Sequence, residues 1–428
     1  MSTKTKKMID WAKDLFPICR SITGEGTRST LKYFEKINPE LKRLKFKSGT
    51  NVFDWKIPKE WNIRNAYIEH ESGKKFANFK KNNLHVVGYS HPINKTINKK
   101  DLLKKLYSEK KRPNAIPYVT SYYQKDWGFC ISETKKKKLK EGNYKVFINS
   151  SLTKGNLECS HALIKGKSKK EIFFSSYVCH PSMANNELSG PSLLNAIMLY
   201  LKRNHKKNYY SYRFFLGPET IGSISYLSKY KDLLKKNIFC GFNLSCVGDE
   251  RNYSHIHSKN ENTISDQALS SSIFHFKNKK NYSFLERGSD ERQYCYPGID
   301  LPIATFCKTK FGEFPEYHTS DDNLKLVTEK GLNESLKVFV NIIDAFELGC
   351  IPSNKYFCEP NLGKRNLYPL ISKKGSYTNL KNRMNLLAYA DGQNNIFSIT
   401  KKINVPLEKV LIEYKILLKK KLLKNIYL

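Results

Sequence analysis

Residues 172–178 (Ile172, Phe173, Phe174, Ser175, Ser176, Tyr177 and Val178) form a continuous apolar and β-prone run. Such a run reads as a strand buried on both faces. His180 follows at its end, a polar turn carries Glu187, and Ser189, Gly190 and Pro191 open an apolar helix. In an open α/β sheet, that carboxyl edge is where ligands bind. An imidazole and a carboxylate held by a strand end and a helix start suit a divalent metal, zinc first. The same residues also fit a purely structural purpose, with the histidine bonded to a carbonyl and the glutamate set against a helix dipole. On this stretch alone the two readings stand level.

Two further segments shift the balance. Residues 211–216 read as a second strand, and Glu219 stands at its exit before a helix start rich in Ser and Gly. Far downstream, His318 lies among Glu316, Thr319, Ser320, Asp321 and Asp322, ahead of a helix expected from about Val327. Two histidines and two glutamates at element ends match the needs of a hydrolytic zinc site: donors for the metal, and a free carboxylate to take a proton from water.

In this order the segments resemble the zinc exopeptidase superfamily, and more closely its aminopeptidase-like members from bacterial surface-polysaccharide biosynthesis clusters. The family's first metal histidine is matched by His180 and its last by His318. Its Asn-Asp-Asn-x-Ser-Gly segment is matched by Asn185, Asn186, Glu187, Leu188, Ser189 and Gly190, with Asn186 at the position of the metal-bridging Asp. Its Glu-Glu pair, base then ligand, is matched by Glu219 and Thr220, and its Asn-Leu-Asp by Asn243, Leu244 and Ser245. Residues 288–293 resemble the segment that lines the family's substrate pocket, which makes Asp290 and Arg292 substrate-binding candidates.

The departures carry the argument further. Thr220 and Ser245 remove the carboxylates that each metal of a pair would own. His180, Glu187 and His318 remain as three protein ligands, enough for one catalytic zinc with a fourth position for water. The resemblance therefore implies a zinc-dependent amide hydrolase with about one Zn2+ per chain and Glu219 as catalytic base. Its substrate would be a peptide or an amide-bearing small molecule of surface-polysaccharide biosynthesis. The competing class is a catalytically degenerate ligand-binding or DNA-binding regulatory protein.

The expected fold is α/β: a mixed sheet wrapped by helices, zinc-exopeptidase-like, with a small β-rich insert and a C-terminal winged helix. Residues 1–52 and 152–355 are expected to form the aminopeptidase-like domain, 53–151 the insert and 365–428 the winged helix-turn-helix. Strands are expected at 172–179, 213–216 and 239–246 in the main domain, and at 62–68 and 84–89 in the insert. At 428 residues the chain is long enough for several domains, and 39% hydrophobic content is ample for packed cores.

The formal net charge of +36 would ordinarily point to nucleic acid. Lys and Arg are spread along the chain, however, and runs such as Lys135 to Lys138 read as solvated faces. The winged helix is accordingly expected to pack, or to join copies of the chain, with nucleic acid not the expected partner. The ten cysteines include no Cys-x-x-Cys pair. With no signal-peptide h-region and no apolar run long enough to span a bilayer, a reduced cytoplasmic setting is expected. His255 and His257 alternate as on one strand face, but no neighbouring carboxylate cluster completes a site, so they read as surface or hydrogen-bonded residues.

Overall fold

The computed structural model describes residues 7–368 and 378–428; residues 1–6, and residues 369–377 of the expected winged-helix segment, lie outside them. An eight-stranded mixed sheet forms the centre, in the order Lys42–Lys47, Asn156–Ile164, Ser211–Gly217, Glu171–Tyr177, Ile238–Leu244, Ile303–Cys307, Tyr253–Ile256 and Lys279–Tyr282. Its middle four strands run parallel. Strand Glu171–Tyr177 lies between Ser211–Gly217 and Ile238–Leu244, so the chain turns to one side of it and then to the other. This is a topological switch point, and His180 and Glu219 leave the carboxyl ends of the two strands on one side of it.

Alternation along these strands feeds two cores. Phe174, Phe214 and Phe242 face one side, packed with helices Ser189–Asn204 and Glu329–Glu347. Phe173 and Phe215 face the other, with Tyr226 and Leu234 of helix Ile221–Asn237. Every residue of Glu171–Tyr177 and Ser211–Gly217 is buried, as expected for parallel strands covered on both faces. Burial extends to one ion pair, in which Arg213 donates to Glu171 with Nη2 at 2.9 Å. Helix Ser189–Asn204 presses directly on the sheet: a Cβ on Gly190 would fall 2.3 Å from Ser176 Oγ and 2.5 Å from the Leu244 carbonyl. Only glycine permits that approach, which brings the preceding turn to the strand ends.

Phe174 holds the centre of the first core, stacked on Phe214 at 5.5 Å, tilted to Phe242 at 5.6 Å and edge-on to Phe339 at 5.6 Å. Phe174→Ala should therefore cost about 3–5 kcal/mol. Urea unfolding should show a lowered midpoint at unchanged slope; a loss below about 1 kcal/mol would mean that this core repacks freely.

The insert carries a four-stranded antiparallel sheet, Lys75–Asn78, Glu60–His70, Asn143–Thr153 and Ile93–Asn98. The strand expected at 84–89 does not form. Asn82 accepts the Leu84 N–H through its side chain at 2.9 Å and curls Asn83–His85 into a 3-10 turn, a local bond the hydropathy pattern does not reveal. At the C-terminal end, helices Thr378–Tyr389, Ile396–Lys402 and Leu407–Lys419 stand with the antiparallel pair Ile351–Asn354 and Leu423–Ile426. This unit packs on the main domain: Phe397 meets Phe346 at 5.1 Å, and Tyr427 stacks on Tyr209 at 3.6 Å. No helix among the described residues is long and apolar enough to cross a membrane.

Candidate metal and catalytic site

His180 is fixed from three directions. Its Nδ1 lies 3.0 Å from Glu187 Oε2 and 3.3 Å from Cys179 Sγ, and its carbonyl accepts from Arg20 Nε at 3.0 Å. The donor atoms of Cys179, His180 and Glu187 all lie within 4.8 Å of one another. Arg20 Nε is also 3.3 Å from Glu187 Oε1, and both side chains are fully buried. Burial alone would lower the His180 pKa, but Cys179 and Glu187 outweigh it and raise it well above the ordinary value. The other ring nitrogen, Nε2, faces Glu219 Oε2 across 4.0 Å.

Glu187 and Asn186 sit in a buried π-helical turn, Ala184–Leu188. Asp322 anchors that turn by accepting the backbone N–H groups of Ala184, Asn185 and Asn186 at 3.2, 2.7 and 2.9 Å. The loop that carries His318 therefore grips the loop that carries Glu187. Asn186 donates to Tyr177 Oη at 2.9 Å, and Tyr177 Oη lies 2.8 Å from Ser245 Oγ. The positions matched to the bridging Asp and the second private Asp are thus joined by neutral hydrogen bonds.

Glu219 owes its position to a strained turn. Thr220 stands at φ +64°, an outlier for a β-branched residue. Asp290 Oδ1 holds the Thr220 N–H at 2.7 Å and accepts from Ser223 Oγ at 2.8 Å, while Arg292 Nη2 donates to Thr220 Oγ1 at 2.8 Å. Asp290 is fully buried at the start of helix Ile221–Asn237, whereas Arg292 lines the cavity. Burial and the nearby Glu219 push the Asp290 pKa up to about 7. Glu219 itself is raised, chiefly by burial and against the pull of His180, Ser289 and Arg292. Its Oε1 accepts from Ser289 Oγ at 2.8 Å.

His318 lies beside His180, ring centroids 5.3 Å apart, and stacks on Tyr317 at 3.8 Å. Its Nε2 is buried without a hydrogen-bond partner, as is Asn186 Oδ1, whereas Glu187 Oε1 lies against Arg20 Nε. Burial and His180 push the His318 pKa down to about 3, which keeps the ring neutral. Two imidazoles, a base-like carboxylate and unpartnered buried acceptors fit a divalent metal by the chemistry of the donor set.

The β-rich insert, expected to sit over the sheet edge and shape the pocket, covers the site through residues that sequence reasoning did not single out. Tyr118, from the insert, lies with its ring centroid 5.2 Å from both His180 and His318. Residues 112–120 run along the His318 loop, with Tyr118 N–H donating to the His318 carbonyl at 2.8 Å, Ser320 N–H to Ile116 at 2.9 Å, and Arg112 Nε to Asp321 at 2.9 Å. A cavity of about 330 Å³ is lined by Ile22, Trp55, Tyr122, Tyr123, His180, Glu219 and Arg292. Arg20 was also missed, although a lone arginine inside the apolar stretch 15–22 is itself a signal of a buried partner.

Residues 9–349 match the family described as a domain of unknown function, DUF4910, and residues 351–425 match a winged helix-turn-helix family. A Clostridium acetobutylicum protein described as a polysaccharide biosynthesis protein with an aminopeptidase-like domain is 39% identical over 406 residues, 93% of this chain and 91% of its own. A crystal structure from Clostridium acetobutylicum, described as a peptidase, superposes with a TM-score of 0.89 at 37% identity, covering 97% of this chain and 95% of the other. BSAP, a zinc aminopeptidase from Bacillus subtilis, shares the fold at a TM-score of 0.57 and 14% identity, over 79% of this chain and 94% of its own. The match over residues 9–349, together with the 39% identical Clostridium relative, makes this chain a member of the DUF4910 family of aminopeptidase-like proteins.

Proposed function

We propose that this chain is a zinc-dependent hydrolase that cleaves an amide bond in a precursor of a surface polysaccharide. The observation that carries the reading is the pairing of His180 Nε2 with Glu219 Oε2 across 4.0 Å at the switch point, beside the unpartnered Nε2 of His318. That separation puts a carboxylate within reach of a water held beside the imidazole. The names of the Clostridium relative and of BSAP support the process and the metal respectively.

In this reading His180 and His318 hold the metal through Nε2, and Asn186 Oδ1 is the third protein donor. Glu187 is assigned to orient His180, because one of its oxygens is on Nδ1 and the other lies beside Arg20. Zinc, when bound, supplies Lewis acidity toward the scissile carbonyl. Glu219 takes the proton of the attacking water and returns it to the leaving amine, held in place by Ser289. Asp290 and Arg292 keep the Thr220 turn in its strained form and so keep Glu219 aimed.

The substrate class follows from the walls. Trp55, Tyr122 and Tyr123 give flat apolar faces with polar edges, which suit a sugar ring, and Arg292 suits an anionic substituent. Trp55 also borders a second cavity of about 570 Å³, which gives room for a larger glycan carrier. The winged helix, seated on the main domain through Phe397 and Tyr427, is assigned a packing role.

The test is chelation and reconstitution against a panel of N-acylated and aminoacylated sugars. Amide cleavage should vanish in the metal-free protein and return with zinc. Cleavage that persists after complete metal removal would overturn the zinc dependence, and a zinc-loaded protein that cleaves no member of the panel would turn the reading toward a ligand-binding protein.

A further inference from the structure

At the far side of the sheet, strand Tyr253–Ile256 and the residues after it approach helix Ile264–Ile273. His255 is fully buried there, and the His257 side chain is 25% exposed. Both rings meet the same oxygen: His255 Nε2 is hydrogen-bonded to Asp266 Oδ1 at 3.1 Å, and His257 Nδ1 lies 3.4 Å from that oxygen. The rings are 4.0 Å apart, and the buried Nδ1 of His255 finds no hydrogen-bond partner. The sequence shows the two histidines on one strand face but hides the carboxylate that completes the cluster, because Asp266 arrives from the next helix.

Asp266 is locked in position. As the third residue of its helix it forms a capping box with Thr263, and it accepts from Ser258 N–H at 2.8 Å, Ser258 Oγ at 2.5 Å and Thr263 N–H at 3.0 Å. Burial opposes its ionisation, but the two histidines and Ser258 outweigh it and hold the carboxyl well below the usual range. A fixed carboxylate flanked by two imidazoles presents donors at the right spacing for one cation. Bonds of about 2.0–2.1 Å to a tetrahedral zinc place neighbouring donors roughly 3.3 Å apart, and the observed separations are 3.1 and 3.4 Å. All three donors lie within 4.8 Å of one another.

We propose that His255, His257 and Asp266 form a second zinc site, separate from the His180 pocket, with its fourth position open to water on the exposed side of His257. Two imidazoles and one carboxylate favour zinc over magnesium or calcium, which prefer oxygen donors. The site ties strand Tyr253–Ile256 to helix Ile264–Ile273. That helix in turn carries the winged helix, through Gln267 with Asn395 at 2.8 Å and Ser270 with Lys401 at 3.3 Å. A cation here braces the seat of the C-terminal unit.

The experiment uses the full chain carrying His180→Ala and His318→Ala, so the result does not depend on the pocket. Titration calorimetry with zinc should give one bound ion per chain, and zinc should raise the melting temperature. Adding His257→Ala, a substitution at a partly exposed position, should abolish both effects. Should the double variant not fold, the parent chain serves: His257→Ala should lower its zinc content by one equivalent, with amide hydrolysis retained. No zinc bound by a folded double variant, or zinc binding that is unchanged by His257→Ala, would overturn the proposal.

Discussion

Glu219→Gln should lower amide hydrolysis by about a hundred- to ten-thousand-fold, the usual worth of a positioned proton-transfer group, and leave the bound metal in place. Gln is isosteric, and its side-chain carbonyl can still accept from Ser289 Oγ, which holds Glu219 Oε1 at 2.8 Å. What disappears is the basic oxygen 4.0 Å from His180 Nε2. The loss should fall on kcat, because the interaction is made as the proton moves. Steady-state kinetics paired with zinc analysis on the same preparation checks the assignment. A variant that loses its zinc would show Glu219 to be a ligand.

His318→Ala should strip the pocket of its metal, weakening zinc binding there by more than about a hundredfold, the upper end of the cost of losing only an outer partner. The His318 ring has a buried Nε2 with no other partner, so the substitution removes a donor without orphaning a hydrogen bond of that atom. His180→Ala should have the same effect on the metal, with an added cost in stability. It leaves Glu187 buried beside Arg20 without the imidazole bonded to its second oxygen. Zinc affinity measured in a His257→Ala background reports on the pocket alone, and circular dichroism confirms that each variant is folded. Glu187→Gln separates the two readings of that residue: a positioning role predicts zinc binding weakened by about ten- to a hundredfold, whereas a direct ligand predicts the same loss as His318→Ala.

The sequence discloses the local parts of the fold and of the site. Residues 172–178 declare a buried strand because every position is apolar or small, and the structure sets the strand at Glu171–Tyr177 with His180 just beyond it. Glu219 declares itself in the same way, at the exit of Ser211–Gly217. The α/β architecture with a C-terminal winged helix follows from the order of such elements and the motifs they carry.

What is not legible is set by contacts across long stretches of chain. Arg20 reaches the His180 carbonyl over 160 residues, and Tyr118 reaches the His318 loop over 200. No periodicity marks either one. The direction in which Glu187 points is equally hidden, because it depends on the buried Arg20 and on Asp322 fixing the Ala184–Leu188 turn. The 84–89 segment has the composition of a strand, but the Asn82 side chain imposes a turn on it. Asp266 stands only eleven residues after His255, yet its part in that cluster emerges only when helix Ile264–Ile273 is docked.

The pocket should hold one metal, because Thr220 and Ser245 stand where each metal of a pair would have its own carboxylate. Diffraction at the zinc absorption edge from crystals of the zinc-loaded chain tests it directly, since it counts the metals in the pocket apart from any elsewhere. A single anomalous peak is expected in the pocket, bonded to His180 and His318. Two peaks about 3.5–4 Å apart, the spacing of a co-catalytic pair, or no peak between those histidines, would contradict it.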